Sequence, residues 1–218
     1  MTSAVSIISA VAIGLGPRPT AFVGSNPAVY SQWLAGQAVA TDEHDTGSSC
    51  PTAIVHSLGG SPAGAPFLKP PPPNEFVDTT VVEHLQLDGC GRSRRLNYLV
   101  FRTTAGRWMA SRMLDGESRA GGRLQHDALQ SAVMAFVVAA HCTSADEAQS
   151  TLHVVESKIL PAQGGGGTWQ ELWTTTLCGN AVGAKVSFVP DAAGPGTSFS
   201  ITPVQADGQP LKAKKPAP

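Results

Sequence analysis

The chain has 218 residues, enough for one domain or for one domain with long tails. Its formal net charge is -1, from 15 basic and 16 acidic residues, so no global field draws it to nucleic acid or to an anionic membrane. Glycine (23 residues) and proline (17 residues) are plentiful, which predicts long irregular segments. No apolar run approaches the roughly 20 residues of a membrane-spanning helix, so we expect no transmembrane segment.

The N-terminal region carries an ambiguous export signal. The apolar stretch Ser3–Gly16 has the length of a signal-peptide core, but no lysine or arginine precedes it. The tripeptide Ala38-Val39-Ala40 resembles the small-residue pattern of a cleavage site. Turn formers and the polyproline run Pro70–Pro73 predict that residues 1–78 are a leader followed by a largely irregular Pro/Gly-rich segment.

Regular periodicities begin near residue 79. Alternation over Thr80–Asp88 predicts a strand with Glu83 on its apolar face. Apolar residues at three- and four-residue steps between Leu124 and Ala140 predict a long, largely buried helix. Further strands are predicted over residues 96–103 and 106–114 before the helix, and over 150–160, 168–177, 184–190 and 197–204 after it.

This order, βββ-α-ββββ, predicts an α+β domain over residues 79–205, with a mainly antiparallel sheet covered on one face by one long helix. Residues 206–218 are expected to form a disordered tail. Two stretches repeat: Glu83 and Glu171 are each followed, after six residues, by Cys-Gly and an apolar run. The repeat indicates an internal duplication of a Cys-Gly hairpin, in which glycine supplies positive φ and cysteine staples the turn to a neighbour.

A second pattern lies in the last third of the chain. The W-x-E-x-W motif beginning at Trp169, the pair Cys178-Gly179 and the F-x-P-D motif beginning at Phe188 resemble exported bacterial proteins of unassigned function. The resemblance covers at most residues 79–205. It implies an exported protein and assigns no catalytic residue.

The four cysteines show no C-x-x-C spacing, so they favour disulfides over a zinc site, and disulfides favour a periplasmic or secreted protein. If the strands on either side of the glycine run Gly164–Gly167 form a hairpin, Cys178 lies near the start of the first strand, within reach of Cys142. Cys50 is then left to pair with Cys90. The rival pairing joins Cys90 to Cys178 and links the two Cys-Gly turns.

The two glutamates support one enzymatic hypothesis. Glu83 and Glu171 could act as general acid and base of a hydrolase on a carbohydrate or cell-wall polymer, provided that they converge in an open cleft within about 5–10 Å. A simpler interpretation pairs either glutamate with an arginine such as Arg102, Arg107 or Arg112, or places it on a solvated face.

Other chemical signals are weak. The histidines do not cluster, the run Asp42–Asp45 is typical of a solvated charge cluster, and no nucleophile motif occurs, so we expect no metal and no cofactor. The leading hypothesis is an exported, non-enzymatic module that binds a protein or an envelope component, and nucleic acid is not an expected partner. The candidate binding residues are three tryptophans, which could stack or grip, and three arginines at a hairpin turn: Trp108, Trp169, Trp173, Arg92, Arg94 and Arg95.

Overall fold

A computed structural model of the chain describes residues 27–62, 76–103, 107–142, 155–161, 167–192 and 196–211. The chain divides into two compact units, residues 1–115 (unit 1) and 116–218 (unit 2). The predicted α+β class is confirmed, but the described residues form two helices and two sheets, where one helix on one sheet was expected. None of the described helices has the length and apolarity needed to cross a membrane.

Unit 1 consists of one helix and a four-stranded sheet. All neighbouring strands are antiparallel and follow the chain order β1-β2-β3-β4. The elements are α1 (Pro27–Thr46), β1 (Ile54–Pro62), β2 (Phe76–Gly89), β3 (Arg92–Thr103) and β4 (Trp108–Arg112).

Unit 2 repeats this order. The two-residue strand β5 (Asp115–Gly116), which begins on the last residue of unit 1, opens a sheet of order β5-β6-β7-β8-β9, in which β6 to β9 pair antiparallel. The remaining elements are α2 (Gly122–Ala140), β6 (Glu156–Ile159), β7 (Trp169–Leu177), β8 (Asn180–Pro190) and β9 (Thr197–Gln205). Of the predicted strand over residues 150–160, the part before residue 155 lies outside the described residues.

The central hairpins of the two units have the same turn. Cys90-Gly91 connects β2 to β3, and Cys178-Gly179 connects β7 to β8, each as a two-residue loop. Both residues of each loop have positive φ, at 49° and 74° in unit 1 and at 48° and 73° in unit 2. Positive φ at both positions is the requirement of the type I′ turn that suits the twist of a hairpin. The predicted duplication of the hairpin is therefore present, and it extends to a whole α-β-β-β-β unit.

Helix α1 is where sequence and structure differ most. The prediction that residues 1–78 are largely irregular is wrong for residues 27–62, which form α1 and β1. The helix buries one residue in every four along a stripe that ends in an acid, namely Tyr30, Leu34, Ala38 and Asp42. A stripe that ends in an acid and contains an alanine has a weak hydrophobic signal, which explains why the pattern was missed.

The cleavage-site interpretation of Ala38-Val39-Ala40 is also wrong. Ala38 is fully buried in the core of unit 1, and cleavage after Ala40 would remove Tyr30 and Leu34 from that core. The stretches Ser3–Gly16 and Pro70–Pro73 lie outside the described residues.

The expected C-terminal tail begins later than predicted. The Gln205 backbone N–H donates to the carbonyl of Gln209, and Val204 forms a β-bridge with Pro210. Residues 206–211 are therefore part of unit 2, and residues 212–218 lie outside the described residues.

The predicted long helix is confirmed as α2. Its buried side includes Ala128, Ala132, Phe136 and Ala140, again one residue in four. Alanines at three of these positions let the helix axis approach the sheet closely, and Phe136 supplies the apolar bulk.

Candidate functional site

Glu83 lies at the centre of β2 and is fully buried in unit 1. Its Oε1 accepts a hydrogen bond of 2.8 Å from the Tyr30 hydroxyl, which comes from the first turns of α1. A Cβ at Gly60, the residue opposite Glu83 on β1, would lie 3.1 Å from Oε2, so glycine gives the carboxylate room against the neighbouring strand. The hydrogen bond between Tyr30 and Glu83 fixes the N-terminal part of α1 to the sheet.

Glu171 occupies the equivalent place on β7, seven residues before the turn cysteine, and is also fully buried. Both indole N–H groups of the W-x-E-x-W motif donate to it, from Trp169 Nε1 at 3.0 Å and Trp173 Nε1 at 2.8 Å. The Ser118 hydroxyl lies within 3.0 Å of both carboxylate oxygens, and the Ser157 hydroxyl donates at 2.9 Å.

The segment before α2 is held by the same carboxylate. The Arg119 backbone N–H donates to Glu171 Oε1 at 2.8 Å, and the Ser118 hydroxyl accepts from the Ala120 N–H at 3.0 Å. Glu171 therefore fixes the entry to α2, as Glu83 fixes the first turns of α1. All the donors to Glu171 named here are neutral, so oriented hydrogen bonds and not an ion pair hold this carboxylate in place.

The two disulfides hold the other end of each helix. Cys50, four residues beyond α1, pairs with Cys90, and Cys142, two residues beyond α2, pairs with Cys178. Both predicted pairings are confirmed, and the rival Cys90–Cys178 pairing is wrong.

The two attachment points are spaced to suit a helix lying along a strand. The seven residues from Glu83 to Cys90 span about 23 Å of β-strand. The sixteen residues from Tyr30 to Thr46 span about 24 Å of α-helix. The strand from Glu83 to the turn cysteine and the helix from Tyr30 to its last residue therefore have similar lengths, and the disulfide at Cys50 follows four residues after the helix. Unit 2 keeps the same seven-residue spacing on its strand.

Asp42, in the predicted solvated run, is instead a buried acid of α1 and is 2% exposed. Arg92 Nη2 donates to its Oδ2 at 2.6 Å, and Arg94 Nη1 donates to its Oδ1 at 2.9 Å. An acid near the C-terminus of a helix opposes the helix dipole, so these two cations from β3 offset an unfavourable position. The prediction of a solvated cluster is wrong at this residue.

Asp45 and Asp115 complete the network. Arg94 Nη2 reaches both carboxylates, at 2.7 Å and 2.8 Å, and Arg112 donates to both, at 2.9 Å from Nη1 to Asp45 and 2.8 Å from Nη2 to Asp115. Three arginines thus meet three aspartates, all within unit 1. Forked arginine–carboxylate contacts of this kind fix the register of α1 on the sheet more than they add stability.

These contacts shift the titration of the network. Burial alone would raise the pKa of Asp45, but hydrogen bonds from Arg112 and Arg94 outweigh it and hold that pKa below its ordinary value. Burial alone would lower the pKa of Arg94, but its bonds to Asp45, Asp115 and Asp42 raise it. The pKa of Arg112 is raised in the same way, against its own burial, by Asp45 and Asp115. Asp45, Arg94 and Arg112 are therefore charged throughout the neutral range.

The predicted recognition arginines Arg92 and Arg94 are consequently engaged by the scaffold of unit 1. Arg95 lies on the opposite face of β3, across from Gln86 of β2, and is half-buried. The contacts of Arg92 and Arg94 with Asp42 give no support to the predicted three-arginine binding turn, which stays a prediction. No signal in the GRSRR sequence itself could have revealed a partner fifty residues earlier.

The predicted tryptophans are also largely internal. Trp173 is fully buried. Trp169 stacks on Phe188 with ring centroids 4.8 Å apart. Trp108 packs edge-on against Tyr30 at 5.0 Å, and its buried Nε1 has no hydrogen-bond partner among the described residues. The prediction that these three rings form a recognition surface is wrong for Trp173 and has no support for the other two.

Unit 2 contains a cavity of about 330 Å³ at the end of α2. Its lining is mostly apolar, with Ala139 from the helix, Val182 and Val204 from the sheet, and Leu211 after β9. Asp207 lies at the same cavity. Within the described ranges, no group of three or more His, Cys, Asp or Glu residues is placed to hold a metal ion.

Comparison with known proteins gave no match: no family model, no curated protein and no solved structure is similar to this chain.

Sequence reasoning identified Glu83, Glu171 and both cysteine pairs, but it missed the partners of the two glutamates. Tyr30 lies in α1, in a part of the chain for which the sequence predicts an irregular segment. Ser118 and Ser157 carried no motif of their own. The four-residue spacing from Tyr30 to Asp42 was the one signal that could have indicated α1.

Proposed function

We propose that the chain is an exported, non-enzymatic bacterial module that binds a protein or an envelope component in the periplasm or outside the cell. The observation that carries the proposal is the enclosure of both central glutamates. Glu83 and Glu171 are each 0% exposed, and the hydrogen bonds described above for each carboxylate come from its own unit. Groups placed in this way hold helices to sheets and offer nothing to a substrate.

The same observation weighs against the alternative, a carbohydrate- or cell-wall-acting hydrolase. A general acid must exchange a proton with the glycosidic oxygen, and its partner must reach water or the sugar ring. A fully buried carboxylate can perform neither of these roles. The hydrolase would require both units to open around Glu83 and Glu171.

Export is supported by the disulfides. Both connect elements within a unit, and the described residues contain no free cysteine. Such bonds persist in oxidising compartments and are reduced in the cytosol. The expected partner therefore belongs to the envelope or the exterior of the cell.

The proposal is tested in the native host. Cells are quenched in acid and the protein is alkylated with a mass-tagged maleimide, with and without prior reduction. We expect no tag before reduction and four after it. Four tags without reduction would contradict export.

Binding is tested separately with the oxidised full-length chain as bait on a solubilised envelope extract. The control bait is the same chain, reduced and alkylated. We expect a partner that the oxidised bait retains and the control does not. Retention of the same material by both baits, or of none, would contradict the binding role.

The hydrolase alternative has its own test. Glu83→Gln and Glu171→Gln variants are compared with the wild type on cell-wall polymer. Release of reducing sugar by the wild type, lost in both variants at unchanged stability, would favour the enzyme over the module.

A further inference from the structure

The two disulfides differ in the exposure of their cysteines. In unit 1, Cys50 is buried, at 6% exposure, whereas Cys90 lies exposed in the turn between β2 and β3. In unit 2, Cys142 and Cys178 are both half-buried. A thiol that reacts with a disulfide must reach one of its two sulfur atoms, so access influences which bond opens and at which atom. Cys90 is the most exposed of the four cysteines and is therefore the first candidate for attack.

The Cys50 side of the bond is enclosed by backbone. A Cβ at residue 89 would lie 3.0 Å from Cys50 Sγ and 2.9 Å from the Ala53 Cα atom. Only the missing side chain of Gly89 leaves room for the Cys50 sulfur beside the strand. The Ala53 N–H also donates to the Cys50 carbonyl at 3.1 Å, which holds this segment against the strand end. A thiol that approaches the bond from the Cys50 side is therefore obstructed.

Thr52 places a hydroxyl beside the same bond. Its Oγ1 lies 3.6 Å from Cys50 Sγ and 3.6 Å from Cys90 Sγ. A disulfide sulfur carries no hydrogen, so the hydroxyl is the donor in both contacts. Burial disfavours a negative charge on the Cys50 sulfur, and a hydrogen bond to a charged acceptor is stronger than one to a neutral acceptor. The hydroxyl is therefore placed to stabilise Cys50 as the leaving thiolate.

Contacts other than the disulfide hold the end of α1 near the turn. Arg92, two residues after Cys90, donates from Nη2 to Asp42 Oδ2 at 2.6 Å. The same Nη2 reaches the carbonyl of Ser48 at 3.4 Å, and Ser48 precedes Cys50 by two residues. These contacts do not require the S–S bond. When the bond opens, they keep the Cys50 thiol close to the turn, where it can react again.

We propose that Cys90 is a site of reversible S-thiolation by small thiols. The thiolate of the small thiol attacks Cys90 Sγ and forms a new S–S bond with it. The Cys50–Cys90 bond breaks, its electron pair leaves on Cys50 Sγ, and this thiolate then takes a proton from water. In the reverse step the Cys50 thiolate attacks the Cys90 sulfur, expels the small thiol and restores the original bond. Each step exchanges one disulfide for another, so no further oxidant or reductant is needed.

The test treats the oxidised full-length chain with reduced glutathione for a series of short times. Acid quenching and alkylation with N-ethylmaleimide follow, and peptide mapping by mass spectrometry locates glutathione, maleimide and the remaining disulfides. The control is the same reaction in denaturing urea, where unfolding gives the thiol access to all four cysteines. The wild-type chain alone provides this comparison, so the result does not depend on whether a variant folds.

In the folded chain we expect glutathione on Cys90 and maleimide on Cys50. The Cys142–Cys178 bond should open at least about tenfold more slowly, because both of its cysteines are half-buried. In urea we expect glutathione on both cysteines of both bonds. If the small thiol is removed before alkylation, the Cys50–Cys90 bond should form again without added oxidant.

The hydroxyl is tested by Thr52→Val, which keeps the branched shape of the side chain. We expect this variant to open its Cys50–Cys90 bond about threefold more slowly than the wild type, because the leaving thiolate loses its donor. Thr176→Val, the same change at an exposed residue two positions before Cys178, is the matched control and should leave the opening rate of the Cys50–Cys90 bond unchanged. Equal rates in Thr52→Val and the wild type would overturn the role assigned to the hydroxyl.

Three results would overturn the site itself. They are glutathione mainly on Cys50, opening of the Cys142–Cys178 bond as fast as that of the Cys50–Cys90 bond, and the same distribution of adducts in the folded and the unfolded chain. Absence of any adduct on the folded chain, under conditions that modify the unfolded chain, would also overturn it. The envelope pull-down has a separate readout, so failure of the S-thiolation site and failure of the proposed binding function are distinguishable.

Discussion

The two units place a buried glutamate at the same point of the same α-β-β-β-β fold but satisfy it with different groups. In unit 1 the phenol of Tyr30 comes from within the helix. In unit 2 the donors come from the segment before the helix and from the indoles of neighbouring residues on the same strand. What the repeat preserves is therefore the position of an acceptor near the helix N-terminus, and the donor chemistry is free to vary.

The C-terminal ends of the helices show a second difference. Unit 2 relies on the Cys142–Cys178 disulfide, with Asn180 Nδ2 adding a hydrogen bond of 3.2 Å to the carbonyl of Ala140. Unit 1 has, besides its disulfide, ion pairs between arginines of β3 and β4 and aspartates of α1. A helix with little apolar surface needs polar contacts to fix its register, whereas α2 has Phe136 and its alanines.

The largest effect should come from Glu171→Ala. This change leaves the N–H groups of Trp169, Trp173 and the Arg119 backbone without their acceptor, at about 1–3 kcal/mol each. We expect a loss of at least about 4 kcal/mol in the free energy of unfolding, measured by urea titration. Glu83→Ala should also destabilise the protein, because it leaves the Tyr30 hydroxyl without its acceptor. An unchanged free energy of unfolding in either variant would contradict the anchoring role of its glutamate.

Phe136→Ala should destabilise the protein by about 3–5 kcal/mol, because it opens a cavity between α2 and its sheet. Met134, two residues away and 66% exposed, provides the matched control. Met134→Ala should change stability by less than about 0.5 kcal/mol. Thermal denaturation followed by circular dichroism measures both, and similar shifts would mean that the helix face is misassigned.

Removing a disulfide should cost about 2–4 kcal/mol in either unit, since the closed loops are of similar length, with sequence separations of 40 and 36 residues. The paired variants are Cys50→Ala with Cys90→Ala and Cys142→Ala with Cys178→Ala. Urea unfolding compares them. If only one pair affected stability, the disulfides would not be equivalent parts of a repeat.

The smallest expected effect is on the stability of the protein at acid pH. The folded-state pKa of Asp45 is below its ordinary value of 3.8, so its contribution is present above that pH and is lost as the pH falls through the folded-state pKa. Asp45→Asn should cost about 1 kcal/mol at neutral pH and reduce the loss of stability below about pH 4. Urea midpoints between pH 2 and 5 measure the slope. An unchanged slope would mean that Asp45 is not paired in solution.

Sequence-based prediction succeeded for structural features whose signal lies within one short stretch of the chain. Alternation around Glu83 and Glu171 indicated strands, and Cys-Gly indicated tight turns, because a two-residue loop imposes positive φ by itself. The helix stripe ending at Ala140 was clear because its apolar residues recur over several turns.

What could not be predicted depended on distant partners. Asp42 looked solvated because Arg92 and Arg94 lie fifty residues away. The tryptophans looked like recognition residues because nothing local shows that Glu171 accepts their N–H groups. Buried polar networks are chosen by the fold as a whole, so a single stretch of sequence does not contain them.

The central claim is that each unit attaches its helix to its own sheet through a buried glutamate near one end of the helix and a disulfide beyond the other end. Peptide mapping of the unreduced full-length protein by mass spectrometry tests it most directly. The account predicts two linked peptides, one joining Cys50 to Cys90 and one joining Cys142 to Cys178. A peptide joining Cys90 to Cys178, or four unlinked cysteines, would contradict it.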